Sequence, residues 1–339
     1  MKVVVTGASG NVGTGLLRAL AGATPAHEVV GVCRRPPPPD PPYDMARWHA
    51  VDLSAPGAAA ALAEPFAGAA AVVHLAWAIQ PARDVATLRR VNVAGTRAVL
   101  DAAAAAGVGH VVLASSSAVY ESGPGKDPVD EHWPPTGIDG SVYSAHKVAV
   151  ENLLHEFADD HPDVLVTRVR PVLVGQGVAA RELTRYFLGP LPRLLLRSVL
   201  RLGMPPLLAL PAGLHAQLVH ADDLGDALAR ILDRRAGGTF NIGAEPLRTR
   251  QLAELVGARP VTLPPATMAA AVRLSSAARL LAITPGWFRL LMEQPVVGTD
   301  HAAATLGWSP RHTTRQIVRE LLDTIAEDRA GTSAVLREH

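Results

Sequence analysis

A doubly wound α/β fold, a parallel sheet with helices on both faces, is predicted by three features of the sequence. Short runs of Val, Leu and Ala recur without polar alternation through the first 170 residues. Helical patterns separate these runs. A glycine-rich turn joins the first run to the first helix. Strands buried on both faces read as continuous apolar runs, and strand–helix alternation implies parallel βαβ units.

The elements follow in order. Residues 3–6 are a short β run and 12–21 a helix. Strands are predicted at 29–32 and 47–52, and an alanine-rich helix at 58–63. A strand at 71–75 precedes one long helix over 85–106, which Gly107 ends. Then come a strand at 111–114, a helix at 143–158 and a strand at 164–169. After Pro171 the pattern changes. Residues 181–217 are rich in Leu, Arg and Pro without clear strands. A helix is predicted at 221–232, a strand at 239–242 and a helix at 250–256, and 260–330 reads as mostly helical. The sheet domain is therefore expected over 1–172, regaining a segment near 221–236. A smaller, mostly helical lobe is expected over 173–220 and 237–330, and a disordered tail over 331–339.

The chain has 339 residues, which suits one large domain plus a lobe. Thirty-two basic and 31 acidic residues nearly cancel, which argues against nucleic acid as a partner. Cys33 is the only cysteine, so no internal disulfide and no thiolate metal site are expected. The start, MKVVVTGASG, lacks a signal-peptide pattern, and no long apolar stretch suggests a membrane span. A cytoplasmic protein is the expectation.

Gly7, Gly10 and Gly13 are spaced GxxGxxG between strand and helix. Glycine permits a positive-φ turn and close approach of backbone to a pyrophosphate, and the helix N-terminus offers free N–H groups. A purely structural turn is the plain alternative. Tyr143-Ser-Ala-His-Lys147 places Tyr and Lys one helical turn apart. An ammonium near a phenol favours the phenolate and lowers its pKa, which suits proton transfer. Most such pairs are only surface neighbours, but a strand ending in serines, HVVLASSSAVY, precedes this one. Strand ends at the carboxyl edge of such sheets are where ligands bind.

Glycine loop, strand-end serine and Tyr-x-x-x-Lys in that order resemble the short-chain dehydrogenase/reductase superfamily. The resemblance is to its extended branch, the NAD-dependent epimerase/dehydratase family, and it covers most of the chain. TGASGNVG resembles the branch's TGxxGxxG loop, which would bring Gly7, Ser9, Gly10, Asn11, Val12 and Gly13 to the cofactor. VDL resembles the Asp-Leu at the adenine, here Asp52 and Leu53. VVHLAW resembles the segment lining the cofactor, giving Leu75, Ala76 and Trp77. NVAGT contributes Asn92, and the two flanking strand ends contribute Ala114 and Pro171. The resemblance implies that Tyr143 is the general acid/base, that Lys147 also holds the nicotinamide ribose, and that Ser116, or second Ser117, orients the reacting oxygen. Glu121 departs from the glycine that many members have there. A homodimer through the 85–106 and 143–158 helices is implied in the same way.

In NAD-binding members an acidic residue sits near the end of the second strand. Here Cys33 takes that place, and Arg34 and Arg35 follow. Guanidinium groups can grip a 2′-phosphate, so NADP(H) is the expected cofactor, with NAD(H) second. Exposed strand-end charge is the bland alternative. The leading expectation is an oxidoreductase that moves hydride between NADPH and a carbonyl or alcohol carbon of a small-molecule substrate. The alternatives are a nucleotide-sugar epimerase or dehydratase with tightly held NAD, and a non-catalytic dinucleotide sensor. His215, His220, Asp222 and Asp223 could suggest a metal cluster, but VHADDL reads as structural and no metal is expected. No GxSxG elbow supports a serine hydrolase. Arg193, Arg197 and Arg201 recur every four residues among leucines, as a solvated, phosphate-binding or membrane-facing stripe. The leucine-rich segment 183–218 suggests an apolar or aromatic substrate.

Overall fold

The computed structural model describes residues 1–79, 84–123, 127–187, 207–255, 257–280, 282–327, 333 and 336. The arginine stripe at 193–201 and most of the expected tail lie outside them. Seven strands form one sheet: β1 (Lys2–Thr6), β2 (Glu28–Cys33), β3 (Ala46–Ala50), β4 (Ala71–His74), β5 (His110–Ala114), β6 (Leu165–Pro171) and β7 (Gly238–Ile242). Their spatial order is β7-β6-β5-β4-β1-β2-β3, and every neighbouring pair is parallel. The predicted doubly wound, Rossmann-type sheet is present.

Both faces of the sheet are apolar, as the unbroken valine runs require. Val3 and Val5 point into one layer with Leu16, Leu17, Leu224, Leu228 and Ile231. Val4 points into the other with Val30, Leu62, Phe66, Val99 and Leu154. Each such fully buried side chain contributes about 1.5–3 kcal/mol against exposure. In the first layer the helices Asn11–Ala21 and Ala221–Arg234 touch backbone to backbone: a Cβ on Gly225 would lie 2.3 Å from the Gly15 carbonyl oxygen. This contact fixes the helix whose N-terminus carries the glycine loop. The strand order reverses between β1 and β4, which opens a crevice at their carboxyl ends.

Several expectations are corrected. The 85–106 helix is three consecutive pieces, Val85–Arg89, a π-helical turn Arg90–Ala94 and Gly95–Ala105. Within the widened turn Asn92 is buried and bonded in both directions to the Ala78 backbone. Residues 238–242, assigned to the lobe, are the edge strand β7. Phe240 and Ile242 enter the core there, and Asn241 joins a buried polar network. The segment 181–217 does contain strands. Leu207–Pro211 pairs in parallel with Arg259–Leu263, which opens the stretch expected to be helical. In the tail, Ser333 and Leu336 are buried, and the Ser333 hydroxyl donates to the Ser9 carbonyl at 2.7 Å. Among the described residues no helix is long and apolar enough to cross a membrane.

Candidate active site

The cofactor half of the site is built at the carboxyl ends of β1, β2 and β4. Gly7 has φ +72°, and its N–H donates to the Val32 carbonyl at 2.8 Å. A Cβ there would lie 2.6 Å from Ala76 N, so glycine is what lets β1 turn beside the Leu75–Ala76–Trp77 segment. A Cβ on Gly13 would lie 2.3 Å from the Ala8 carbonyl oxygen. Gly10 caps the helix without a side-chain bond, so among the described residues no cap side chain takes the first-turn N–H groups that an anion could use. Ser9 is buried and hydrogen-bonds the Cys33 thiol, whose pKa burial raises. Val12 packs on the core.

Asn11 is held from the far side: its Nδ2 donates to Val174 O at 3.0 Å, and Gln176 Nε2 donates to its carbonyl and side-chain oxygens at 2.9 and 2.8 Å. Gln176 carries no motif and was not singled out in the sequence. Arg34 and Arg35 are exposed just past β2. Arg34 helps Ser54 hold the Asp52 carboxyl below its usual value, with two Ser54 bonds as the main cause. Leu53 is buried, with Gly95 packed against it. A dinucleotide's phosphates fit this cradle of close-packed glycines and uncapped helix end.

The candidate catalytic residues gather at the end of β5. The helix Val142–Asp160 starts at Ser141, whose hydroxyl accepts from Ser144 N. Ser144 Oγ in turn donates to Ala118 O at 2.6 Å and accepts from Ile138 N at 2.8 Å. These bonds tie the helix start to the serine loop. Ser116 accepts from Ala118 N and hydrogen-bonds the Tyr143 phenol. Ser117 and Ser115 are buried with their hydroxyls unbonded among the described residues. Ser116 is thus the serine brought to Tyr143.

Lys147 Nζ donates to Ala114 O at 2.8 Å and lies 3.5 Å from the centroid of the Trp77 ring. Burial pulls its pKa down to about 7, while Glu151, one turn on, opposes the fall. Burial pushes the Tyr143 phenol up, against the Ser116 bond. Desolvation and the Ser116 bond, not the expected lowering by Lys147, act on the phenol here, and the ammonium lies 5.8 Å from the phenol ring centroid. Pro171 ends β6 opposite Ile242.

A pocket of about 220 Å³ opens beside Tyr143, lined in part by Ile79, Leu88, Asn92, Val142, His146 and Trp287. Trp287 comes from the lobe, on the helix Pro285–Glu293, and its ring lies 4.8 Å from that of Tyr143 at 42°. A Cβ on Gly286 would lie 2.5 Å from Gly140 O, so glycine there lets this helix reach the start of the Tyr143 helix. Trp287 was not found from sequence. Thr284 and Pro285 signal a helix start, but nothing local names its partner.

The histidine–aspartate group is occupied elsewhere. Asp223 accepts from Arg311 and His312, Asp222 pairs with Arg18 at 2.6 Å, and His220 pairs with Glu320 at 3.2 Å and stacks on His312. His215 bonds the Gln294 carbonyl. Among the described residues no group of three or more His, Cys, Asp or Glu is gathered as a metal site.

The chain is 27% identical over 279 residues to the uncharacterized protein y4nG of Sinorhizobium fredii, covering 80% of this chain and 67% of that protein. It is 30% identical over 249 residues to the uncharacterized protein Rv0501 of Mycobacterium tuberculosis, covering 72% of this chain and 62% of that one. The chain therefore spans about two thirds of the length of these relatives. The fold is similar to that of Thermus thermophilus UDP-glucose 4-epimerase in complex with NAD, with TM-score 0.69, 22% identity, and 96% and 99% of the two chains covered. Residues 3–243 match the model of the NAD dependent epimerase/dehydratase family, and the chain belongs to that family.

Proposed function

We propose that this chain oxidises a hydroxyl-bearing carbon of a small molecule within an epimerase- or dehydratase-type cycle. The observation that carries this reading is the Ser116–Tyr143–Lys147 group at the carboxyl end of β5, beside the glycine cradle. A nicotinamide dinucleotide held there by the loop Gly7–Gly13 would supply a hydride acceptor that can return what it takes. Ser116 orients the reacting oxygen. Tyr143 holds the proton at its Oη: as the neutral phenol that burial favours, it gives the proton to a carbonyl oxygen. Taking a proton from an alcohol needs the phenolate, which Lys147 stabilises when charged. Family membership supports this cycle.

A net NADPH-dependent reductase is the second reading, favoured by Arg34 and Arg35 where an acidic residue would serve NAD. Purified protein that carries stoichiometric cofactor and turns substrate over without net NADPH consumption supports the first reading. Steady NADPH consumption with a ketone supports the second. In either case Tyr143→Phe should lower turnover by about 10²–10⁴-fold and leave cofactor affinity nearly unchanged. Full turnover in that variant would remove the mechanism.

A further inference from the structure

We infer that the pocket beside Tyr143 selects a substrate carrying a flat apolar ring, aromatic or fused, next to its reacting carbon, with Trp287 as the residue that reads the ring. The inference rests on the redox reading of the same site. Its support is the chemistry of the walls. Ile79, Leu88 and Val142 are aliphatic. In the wall Trp287 stands 4.8 Å from Tyr143 at 42°, and Trp77, outside the lining, meets Tyr143 edge-on at 5.9 Å and 75°. Tilted and edge-on arrays of this kind accept another ring with favourable quadrupole geometry.

Among the polar side chains of the wall, Asn92 has both its amide atoms committed within the protein. Asn92 Oδ1 accepts from Ala78 N at 2.7 Å, and its Nδ2 donates to Ala78 O at 2.9 Å. Ser141 Oγ accepts from Ser144 N at 3.3 Å, and Thr284 Oγ1 from Trp287 N at 3.4 Å. Burial, helped by the Arg89 charge, pushes the His146 imidazole toward its neutral form. Tyr143, which bonds Ser116, is the polar group of the wall where the reacting oxygen belongs, and neutral His146 keeps one donor and one acceptor nitrogen.

Size points the same way. The 220 Å³ volume is below the roughly 300–1,000 Å³ of sites that enclose a whole drug-sized ligand. A space of that size between the described residues takes one ring system. The lobe's contribution is specific: Gly286 allows the close approach that sets Trp287 over Tyr143. Trp287 is thus placed to make the substrate's ring part of the wall.

The test uses the full chain with cofactor present and 2-tetralone, a fused bicyclic ketone, as probe. Acetone and UDP-glucose are the comparisons, and binding is read by calorimetry. The expected result is a Kd for 2-tetralone at least about tenfold tighter than for acetone, with no displacement by UDP-glucose. Trp287→Ala should weaken 2-tetralone about tenfold or more, and Trp287→Phe should keep most of the affinity. Where the probe turns over, the loss should fall on KM rather than kcat. Absence of 2-tetralone binding, displacement by UDP-glucose, or equal affinity in native and folded Trp287→Ala protein each overturns the inference. Failure of the redox reading looks different: 2-tetralone binds, Trp287 matters, and no ketone or alcohol exchanges hydride.

Discussion

Arg170 grips Glu151 through two near-parallel bonds, Nε to Oε1 at 2.9 Å and Nη2 to Oε2 at 2.6 Å, with both side chains buried. Glu151 stands four residues after Lys147 and eight after Tyr143, on one face of the helix. Arg170 Nη1 also donates to Tyr120 Oη at 2.9 Å and Glu131 O at 3.1 Å, and Tyr120 donates to Asn241. The network links the Tyr143 helix to β6 and β7. Arg170→Met would leave a buried carboxylate unpaired, at a cost of about 3–5 kcal/mol in denaturant unfolding. Because Glu151 favours the charged form of Lys147, Arg170→Met should move the pH midpoint of turnover up, and Glu151→Gln should move it down. Identical pH profiles would cut the link between this ion pair and Lys147.

Gly15 and Gly225 lock two helices at backbone contact. A methyl group at 225 has to push the helices apart, and overpacking of this kind costs about 1–3 kcal/mol. Gly225→Ala should therefore lower the melting temperature and weaken dinucleotide binding together, since the displaced helix carries the glycine loop. Calorimetric melting and cofactor titration measure the two effects. A lower melting temperature with unchanged cofactor binding would show that the contact supports stability alone.

His74 sets a pH dependence with a definite sign. Its Nε2 meets Thr96 Oγ1 at 2.9 Å, and Thr96 Oγ1 donates to Asn92 O at 2.6 Å. Thr96 is thus an acceptor toward His74, Nε2 carries the proton, and Nδ1 accepts from Thr6 Oγ1 at 2.6 Å. Burial, reinforced by the Lys147 charge, holds the imidazole pKa down to about 3. Between pH 6.5 and 3 the unfolded chain binds a proton that the native state refuses, so stability falls as pH falls through that window. His110, pulled down to about 4, acts in the same direction. His74→Gln should lose about 1–3 kcal/mol at pH 7, from the two threonine bonds. It should also show a shallower loss below pH 6.5. Urea midpoints across pH would test both, and an unchanged slope would mean that other groups govern acid unfolding.

The sheet was legible because its signal is local. Val3–Val5 and Val29–Val32 are apolar on both faces, and only a doubly covered strand wants that. The place of β7 is hidden in the sequence because it depends on pairing with β6, 71 residues earlier, and no local pattern records that pairing. The π-helical turn at Arg90–Ala94 was hidden for a similar reason: its visible tie is Asn92 bonded to a backbone on another element. At the site, spacing brought out Tyr143, Lys147 and the glycines, since one helical turn and one tight turn are sequence-local. The rise in the Tyr143 pKa and the fall in that of Lys147 come from burial by distant segments, Trp287 and Trp77 among the neighbours. Sequence spacing suggested the opposite sign for the phenol.

The strand-end arginines give a prediction that separates charge recognition from decoration. Arg34 and Arg35 follow Cys33 at the end of β2, whose Val32 carbonyl receives the Gly7 N–H at 2.8 Å, so they stand next to the glycine turn. A charge-assisted hydrogen bond is worth about 1.5–3 kcal/mol, and 1.4 kcal/mol is tenfold in affinity. The native protein should therefore bind NADPH at least about tenfold tighter than NADH. Arg34→Ala together with Arg35→Ala should abolish that preference while changing the NADH Kd less than about threefold. Because both side chains are exposed, the preference should also shrink as ionic strength rises, as a screened contact must. Equal Kd values for the two cofactors in the native protein would leave the arginines as solvated charge. They would also remove the observation that favours a net reductase over an internal redox cycle.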